Sequence, residues 1–365
     1  MLTPNFDQRG LTLIAEAGVN HNGDFGIAKE MVHVAKASGA NVVKFQVFDP
    51  ELLASKTAGT AIYQQNTSTN QRKMLAKLTL KKDEYVQLSN LCQSIGIEFL
   101  GTPFDLDSLE FLEKECGVTR IKIGSGDSVN HPLLWQIARK KLKLILSTGM
   151  TTLDEIQDSL NLLALGFFDE SQEIPPIVDS NPKVLSQNAV KTILKDRVTL
   201  CHAVSLYPTP PKLSNIRNIS LLRSRFGLEV GLSDHSTSHT SSILAAALGA
   251  QLFEKHFTLD KSMEGPDHQA SMSPIELAEW VSFLQESQER LGSAGRIISE
   301  SEEAVKLVVR QHLIAKSDIQ LNERFTTSNL TFTRTGGMGA PTSRLWGLLN
   351  TTASRAYKRG DVIDE

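Results

Sequence analysis

Charged and hydroxyl side chains recur at the ends of short apolar runs between residues 11 and 257. The runs end at, or close to, Glu16, Lys44 with Gln46, Thr102, Lys122 with Ser125 and Asp127, Ser147, Ser205 with Tyr207, Ser233 with His235, and Lys255 with His256. A single lysine or serine at such a place is usually a paired charge or a helix cap. Eight polar run ends in one chain instead predict a shared site.

Two of these residues, Lys44 and Lys122, lie within buried-type apolar runs. An unpaired ammonium there would carry a large desolvation cost, and an anionic ligand would supply the opposing charge. Four strand-end hydroxyl groups could add hydrogen bonds: Thr102, Ser125, Ser147 and Ser233. The glycine turns of GSGD and STGM can present backbone N–H groups to a phosphate. The pattern predicts a cradle for phosphate and carboxylate groups.

Two histidines, His235 in LSDHS and His256 in EKHF, follow consecutive predicted strands. Neighbouring strands of a parallel barrel would bring both imidazoles to one side of its mouth. Two histidines with a nearby carboxylate, such as Glu16, suit a divalent cation that keeps open coordination positions.

The elements that must position these residues are eight β-rich apolar runs separated by amphipathic segments. The runs cover residues 11–16, 41–46, 97–102, 120–125, 143–148, 198–203, 228–233 and 250–255. Continuous apolar runs are typical of parallel strands buried on both faces. The pattern predicts an α/β protein with a (β/α)8 (TIM) barrel, whose active site forms at the carboxyl ends of the strands. A doubly wound sheet is the rival, but EAGVNHNGD stands where a dinucleotide fold would carry GxGxxG.

Residues 1–292 are predicted to form the barrel, and the small, polar stretch 293–304 a linker. Residues 305–365 contain short β-like pieces with glycine and asparagine turns, enough for a compact second domain. The polar stretch 50–80 is a long connection between a strand and a helix, and such connections are often binding loops.

Composition narrows the class of partner. The 365 residues carry 38 Lys and Arg against 41 Asp and Glu, for a net charge of -3, which gives no electrostatic reason to expect nucleic acid or an anionic membrane. The sequence shows no signal peptide and no membrane-length apolar stretch, which favours a cytoplasmic protein. Three widely spaced cysteines indicate neither a disulfide framework nor a thiolate zinc site.

The ordered motifs EAGVNHNGD, VVKFQ, FLGTPFD, IKIGSGD, ILSTGM, HAVSLYPTP, GLSDHS, EKHFTLD and GPDH resemble those of the sialic acid synthase family. The tail, with TFTRTGGMGAP and AYKRGDVI, is similar to the C-terminal antifreeze-like (SAF) domain of that family. The resemblance spans nearly the whole chain, and the ordered set is far more specific than any single motif.

The resemblance implies a transferase that condenses phosphoenolpyruvate with an N-acetylmannosamine-type aldehyde, giving a nine-carbon 2-keto sugar acid and phosphate, with Mn2+ or Mg2+ bound by His235 and His256. Phosphoenolpyruvate would be held by Lys44, Thr102, Lys122, Ser125, Ser147, Ser205 and Ser233. The sugar would contact Glu16, Gln46, Asn66, Asp127, Tyr207 and Asp267, with Arg334 reaching it from the swapped small domain of a homodimer. Glu16 would also guide proton movement and the attacking water.

Three departures from the family pattern concern the choice of sugar: Ser205 in place of Asn, Asp127 in place of Glu, and TRTGGMG around the arginine. Because of these departures, the sugar precursors of legionaminic and pseudaminic acid are alternative substrates. Two other readings also stand: a metal-independent aldolase or lyase with Lys122 or Lys44 as a Schiff base, and a non-catalytic sugar-binding or ice-binding protein.

Overall fold

The computed structural model describes residues 10–55, 71–168, 186–292 and 295–365. The chain divides into two compact units, Met1–Gly292 and Ser293–Glu365. No helix in these described ranges is long and apolar enough to cross a membrane.

The first unit is a closed barrel of eight parallel strands in chain order. The strands are β1 (Thr12–Gly18), β2 (Val42–Val47), β3 (Glu98–Pro103), β4 (Arg120–Ile123), β5 (Lys143–Ser147), β6 (Val198–Ala203), β7 (Glu229–Asp234) and β8 (Leu252–His256). The pairing of β1 with β8, with Glu16 opposite His256, closes the barrel. The predicted TIM barrel is confirmed, and the doubly wound sheet is wrong.

Helices surround the barrel. They are α1 (Phe25–Ala37), α2 (Pro50–Leu53), α3 (Gln71–Ala76), α4 (Lys82–Ile95), α5 (Leu106–Lys114), α6 (His131–Arg139), α7 (Leu153–Phe168), α8 (Gln187–Leu194), α9 (Asn218–Phe226), α10 (Thr240–Ala247) and α11 (Pro274–Leu291). Side-chain caps start several of them. Asp24 accepts from Ile27 N at the start of α1, and Ser273 forms a capping box with Glu276 at the start of α11.

The barrel interior is layered. An apolar layer of Ile14, Val42, Leu100, Ile145, Cys201 and Leu252 fills its lower part. Side chains alternate across a strand, so the residue two positions later faces the same interior, one layer closer to the carboxyl ends. On five of these strands that residue is polar: Glu16, Lys44, Thr102, Ser147 and Glu254. Strand alternation thus builds a polar layer directly on an apolar floor.

The second unit contains α12 (Glu300–Val309), the antiparallel strands β9 (Gln311–Ala315) and β10 (Leu330–Arg334), and α13 (Leu345–Leu348). Its apolar core includes Leu313, Phe325 and Tyr357. The stretch predicted as a linker contains the start of α12, because Ser299 caps that helix and acidic residues fill its first turn. The similarity of this unit to a SAF domain stays a prediction.

Candidate active site

A chain of buried charges crosses the polar layer of the barrel. Lys122 Nζ lies 2.9 Å and 3.0 Å from the two carboxylate oxygens of Glu254. Lys44 Nζ lies 3.3 Å from Glu254 Oε2 and 3.3 Å from Glu16 Oε1. Each of the four residues is at most 5% exposed. Two ammonium groups therefore share one carboxylate, and a second carboxylate lies at the end of the chain.

Glu254 is the functional residue that the sequence interpretation missed. The expectation that an anionic ligand neutralises Lys44 and Lys122 is corrected: Glu254 and Glu16 do so within the protein. The signal was present in the sequence, because Glu254 lies two residues before His256 and so shares its face of β8.

The two carboxyl groups differ in their protonation. Burial alone would raise the pKa of Glu254, but Lys122 and Lys44 outweigh it and hold that pKa well below its usual range. Burial raises the pKa of Glu16 to about 7, because the opposing effect of Lys44 is smaller than the desolvation. Lys44 itself has a raised pKa, since Glu16 and Glu254 outweigh the desolvation that would lower it. Glu16 can therefore exchange a proton near neutral pH.

Hydroxyl groups surround the charges. Ser233 Oγ donates to Glu254 Oε1 at 2.6 Å, and Lys44 Nζ donates to Thr102 Oγ1 at 3.1 Å. Ser147, which is 2% exposed, lies in the same layer at the end of β5. Thr102 and Ser233 thus contact the buried charges directly, and Ser147 lies in the same layer.

Ser125 and Ser205 converge on the turn after β5. Gly149 N donates to Ser125 Oγ at 3.1 Å. A Cβ atom at Gly149 would lie 2.6 Å from Ser125 Oγ and 2.8 Å from Ser205 Oγ, closer than real Cβ contacts allow. Two hydroxyls and a backbone N–H therefore meet at this turn, and a side chain at position 149 would have to displace the hydroxyls.

The two predicted histidines are neighbours. The ring centroids of His235 and His256 are 5.6 Å apart, and the ring of Tyr207 lies 4.1 Å from the first and 5.6 Å from the second. His235 Nδ1 is 2.7 Å from the carbonyl oxygen of Val204, which can only accept, so Nδ1 carries the proton. His235 Nε2 then keeps its lone pair and accepts from the Tyr207 hydroxyl at 3.0 Å.

Both imidazoles are neutral. Burial lowers the pKa of His235 to about 4, and burial followed by His235 itself lowers the pKa of His256 well below its ordinary value. His256 Nδ1 and Glu16 Oε2 are buried without a hydrogen-bond partner in the described part of the chain. Neutral imidazole is the form that binds a cation, so the pair suits a divalent metal as two of its ligands.

Glu16 does not complete a preformed metal site. The described residues contain no group of three or more His, Cys, Asp or Glu side chains that could hold a metal. Glu16 Oε1 is engaged by Lys44, and a β-bulge separates Glu16 from Gly18 in β1. A Cβ at Gly18 would lie 3.3 Å from Glu16 Oε1 and 3.6 Å from both His256 Nδ1 and Gln46 Nε2. Glu16, Gln46 and His256 thus converge on the backbone of Gly18, near one another.

Two predicted sugar-side carboxyl groups lie in loops after strands. Asp127 follows β4 and accepts from Asn130 Nδ2 at 3.0 Å, and its burial raises its pKa. Asp267 follows β8, and burial raises its pKa to about 6. Ser271 donates to the Asp267 carbonyl oxygen at 2.7 Å and accepts from Asn20 Nδ2 at 2.9 Å. The loop that carries Asp267 is therefore held to the loop after β1.

Two further predicted residues are Asn66 and Arg334. Asn66 lies outside the described residues. Arg334 is the last residue of β10 in the second unit, where it pairs in register with Gln311 and is exposed.

A closed parallel barrel with charged residues gathered at the carboxyl ends of its strands is the architecture of a (β/α)8-barrel enzyme. The model of the NeuB family matches residues 31–296. The chain therefore belongs to the NeuB family, and the predicted membership of the sialic acid synthase family is confirmed.

Known proteins of this family resemble the chain over most of its length. The N,N'-diacetyllegionaminic acid synthase of Campylobacter jejuni is 38% identical over 356 residues, which cover 97% of this chain and 98% of that protein. The N-acetylneuraminate-9-phosphate synthase of Mus musculus is 30% identical over 356 residues, 97% of this chain and 91% of that protein. The solved structure of the N-acetylneuraminic acid synthetase of Leptospira borgpetersenii in complex with citrate has a TM-score of 0.64 at 30% identity, covering 80% of this chain and 89% of that chain.

Proposed function

We propose that this protein condenses phosphoenolpyruvate with the open-chain aldehyde of an N-acetylated amino sugar, giving a nine-carbon 2-keto sugar acid and phosphate. The observation that carries the proposal is the buried pair of ammonium groups, Lys44 and Lys122, together with two neutral histidines at the carboxyl ends of the neighbouring strands β7 and β8. A doubly charged phosphate and a carboxylate need such fixed cations. The aldehyde needs a Lewis acid that polarises its carbonyl group, and neutral histidines can hold a metal ion in that role.

Phosphoenolpyruvate would bind along the polar layer. Lys44 and Lys122 face its negative charges, while Glu254 holds both ammonium groups in place. Hydroxyl groups from five strands would complete the cradle: Thr102, Ser125, Ser147, Ser205 and Ser233. The raised pKa of Lys44 keeps it charged, which favours an anion-binding role over a Schiff-base nucleophile.

His235 and His256 would hold a divalent metal, Mn2+ or Mg2+, and when bound it would supply a Lewis acid that polarises the sugar aldehyde. Tautomer and protonation support this assignment. The carbonyl of Val204 fixes the proton on His235 Nδ1, the kind of outer contact that orients metal-binding histidines.

The bond changes balance with one proton carrier and one water. C3 of phosphoenolpyruvate bonds to the aldehyde carbon, and the aldehyde oxygen gains a proton. Water then bonds to C2 and gives up one proton, which leaves a hydroxyl group on C2. As the C2–O bond to phosphate breaks, this hydroxyl passes its proton to the departing phosphate and becomes the 2-keto group. Glu16, with a pKa of about 7, would take the proton from that water. The lysines stabilise the phosphate and carboxylate charges throughout.

The sugar would lie toward Gln46, Tyr207, Asp127 and Asp267, with Asn66 a further contact. We propose a 2,4-diacetamido-hexose as the first alternative to N-acetylmannosamine. The greater identity to the diacetyllegionaminic acid synthase, 38% against 30% for the N-acetylneuraminate-9-phosphate synthase, supports it.

The second unit would act as a SAF domain that reaches the sugar of a neighbouring subunit through Arg334, in a domain-swapped homodimer. The exposed position of Arg334 at the end of β10 supports this assignment. We place the reaction in the cytoplasm, where phosphoenolpyruvate is available, with no nucleic acid or membrane as partner.

A substrate panel tests the proposal. Purified protein with phosphoenolpyruvate and Mn2+ is incubated with N-acetylmannosamine, its 6-phosphate, or 2,4-diacetamido-hexoses, and phosphate release and product mass are measured. Phosphate and a 2-keto acid of the summed carbon count are expected with one of these sugars, and EDTA should abolish the turnover. Turnover with none of them would contradict the proposal.

A further inference from the structure

Asp234 and Lys255 form a second buried ion pair, separate from the charged layer inside the barrel. The two residues are register partners on β7 and β8, with Lys255 Nζ 2.9 Å from Asp234 Oδ2, and both side chains are 3% exposed. Asp234 directly precedes His235, and Lys255 directly precedes His256. The ion pair therefore joins the two strands one residue before each imidazole.

The pair lies on the helix side of the strands. Glu254 faces the barrel interior, and the alternation of side chains turns Lys255 and its partner Asp234 toward the surrounding helices. There Ser242 Oγ in α10 donates to Asp234 Oδ2 at 2.9 Å. Trp280 Nε1 in α11 donates in turn to Ser242 Oγ at 2.9 Å. A hydrogen-bonded chain thus runs from an outer helix to the strand that carries His235.

The same pair anchors the loop that follows β7. Asp234 Oδ1 accepts from Ser236 N at 2.9 Å and from Ser236 Oγ at 2.7 Å. Lys255 Nζ donates to the carbonyl oxygens of Ser236 at 2.5 Å and Ser238 at 3.2 Å. The backbone is therefore fixed on both sides of His235. Both carboxylate oxygens and the ammonium group are used by contacts inside the protein.

Stability alone does not explain such a pair. Removing two charged groups from water costs about as much free energy as their mutual attraction provides. Apolar residues of similar size in the same place are often at least as stabilising. What the pair supplies is directional bonds between two strands, and an apolar contact has none.

We infer that Asp234 and Lys255 are positioning residues, which set the spacing and orientation of His235 and His256 for a divalent cation. The inference rests on the proposed metal site. The register of Asp234 with Lys255 sets the position of β7 along β8. The hydrogen bonds of Asp234 to Ser236 hold the backbone after His235, and the hydrogen bond from Ser242 holds β7 against α10.

Mn2+ titration of the full-length protein, without substrate, tests this. The variants are Lys255→Met and Asp234→Asn, and the matched control is Arg120→Met, which breaks the inter-strand ion pair of Arg120 with Glu98 at the opposite end of the barrel. We expect Mn2+ affinity to fall roughly 10- to 100-fold in the Asp234 and Lys255 variants. The control should lose thermal stability and keep its Mn2+ affinity within about twofold.

A second measurement needs no metal. Nitrogen-15 NMR of the imidazoles should show the Nδ1–H tautomer of His235 in the wild type and a mixture of tautomers in Lys255→Met. If Lys255→Met does not fold, Ser242→Ala removes one bond to Asp234, keeps both charges, and should still weaken Mn2+ binding several-fold.

The outcomes separate the two proposals. Wild-type protein that binds no Mn2+ would overturn the metal site, and this inference with it. Wild-type binding that disappears in His256→Ala but is unchanged, within about twofold, in every folded Asp234, Ser242 and Lys255 variant would overturn the positioning role alone.

Discussion

Glu254 accepts hydrogen bonds from the Lys122 ammonium on both carboxylate oxygens, at 2.9 Å and 3.0 Å, while it also faces Lys44 at 3.3 Å. One buried carboxylate thus fixes two ammonium groups inside the barrel. In the phosphoenolpyruvate cradle that we propose, the two cations would thus be held in place before the anion binds.

Glu254→Gln should destabilise the protein, because it leaves Lys122 and Lys44 buried with too little opposing charge. The expected loss is about 3–5 kcal/mol in the free energy of unfolding, measured by chemical denaturation. Glu98→Gln, in a partly exposed pair with Arg120, should cost only about 1 kcal/mol. The double variant Lys122→Met with Glu254→Gln should recover part of the loss. Equal stability of Glu254→Gln and the wild type would disprove the pairing.

Glu16→Gln should change the pH dependence of stability. The pKa of Glu16 is about 7 in the folded protein against 4.5 as its usual value, so the folded state binds that proton more tightly. Stability from this group is present below about pH 4.5 and is lost as pH rises to about 7. From about pH 5 to pH 8, the wild type should lose about 2–3 kcal/mol relative to Glu16→Gln.

Thermal melts of both proteins across this range measure the difference. Both proteins keep every other titratable side chain, so the comparison between them isolates Glu16. A difference that does not change with pH would show that Glu16 titrates outside this range. The same variant should have low kcat at every pH, because it cannot take the proton of the attacking water.

Gly149→Ala should disturb the phosphate end of the cradle. Its Cβ would lie 2.6 Å from Ser125 Oγ and 2.8 Å from Ser205 Oγ, so at least one hydroxyl must move. We expect KM for phosphoenolpyruvate to rise about tenfold, the effect of losing one hydrogen bond to a charged group. Gly347→Ala, in α13 of the second unit, is the control, since nothing lies within 4 Å of its Cβ position. A similar KM in both variants would exclude this turn from the phosphoenolpyruvate site.

His256→Ala should abolish Mn2+-dependent turnover and Mn2+ binding by calorimetry, while the circular dichroism spectrum stays that of the wild type. The imidazole is neutral and its Nδ1 is buried without a partner in the described residues, so its loss leaves no buried charge. His33→Ala, at an exposed position of α1, controls for nonspecific metal binding. Full activity of His256→Ala would refute the ligand assignment.

Arg334→Ala should raise KM for the sugar and leave KM for phosphoenolpyruvate unchanged, because we propose that this residue reaches the sugar of a neighbouring subunit. Arg324→Ala, another exposed arginine of the second unit, is the control. Mixing Arg334→Ala subunits with His256→Ala subunits should restore activity, since a mixed dimer contains one intact site. Absence of recovery after subunit exchange would contradict the swapped arrangement.

Borohydride reduction in the presence of phosphoenolpyruvate or sugar separates the synthase from an aldolase. Glu254 and Glu16 keep Lys44 protonated, and a protonated amine is not a nucleophile. Mass spectrometry should therefore detect no covalent adduct on Lys44 or Lys122. A trapped adduct on either lysine would favour the Schiff-base mechanism.

The sequence by itself determined the barrel and most of its polar residues at the strand ends, but not Glu254. Parallel strands must be apolar on both faces, so eight continuous apolar runs located the strands to within two residues at nearly every end. The period of two then selected which side chains face the interior, as for Lys44 and Thr102. These are local properties of the chain, and local pattern is what a sequence records.

Only the tertiary structure decided which of these side chains touch. Glu254 pairs with Lys122, which is 132 residues away in the chain, because barrel closure brings β8 across from β4. The raised pKa of Glu16 and the lowered pKa of His235 likewise depend on burial and on neighbours from other strands. Coulomb energy and desolvation depend on distance in space, and that distance exists only once the barrel has closed.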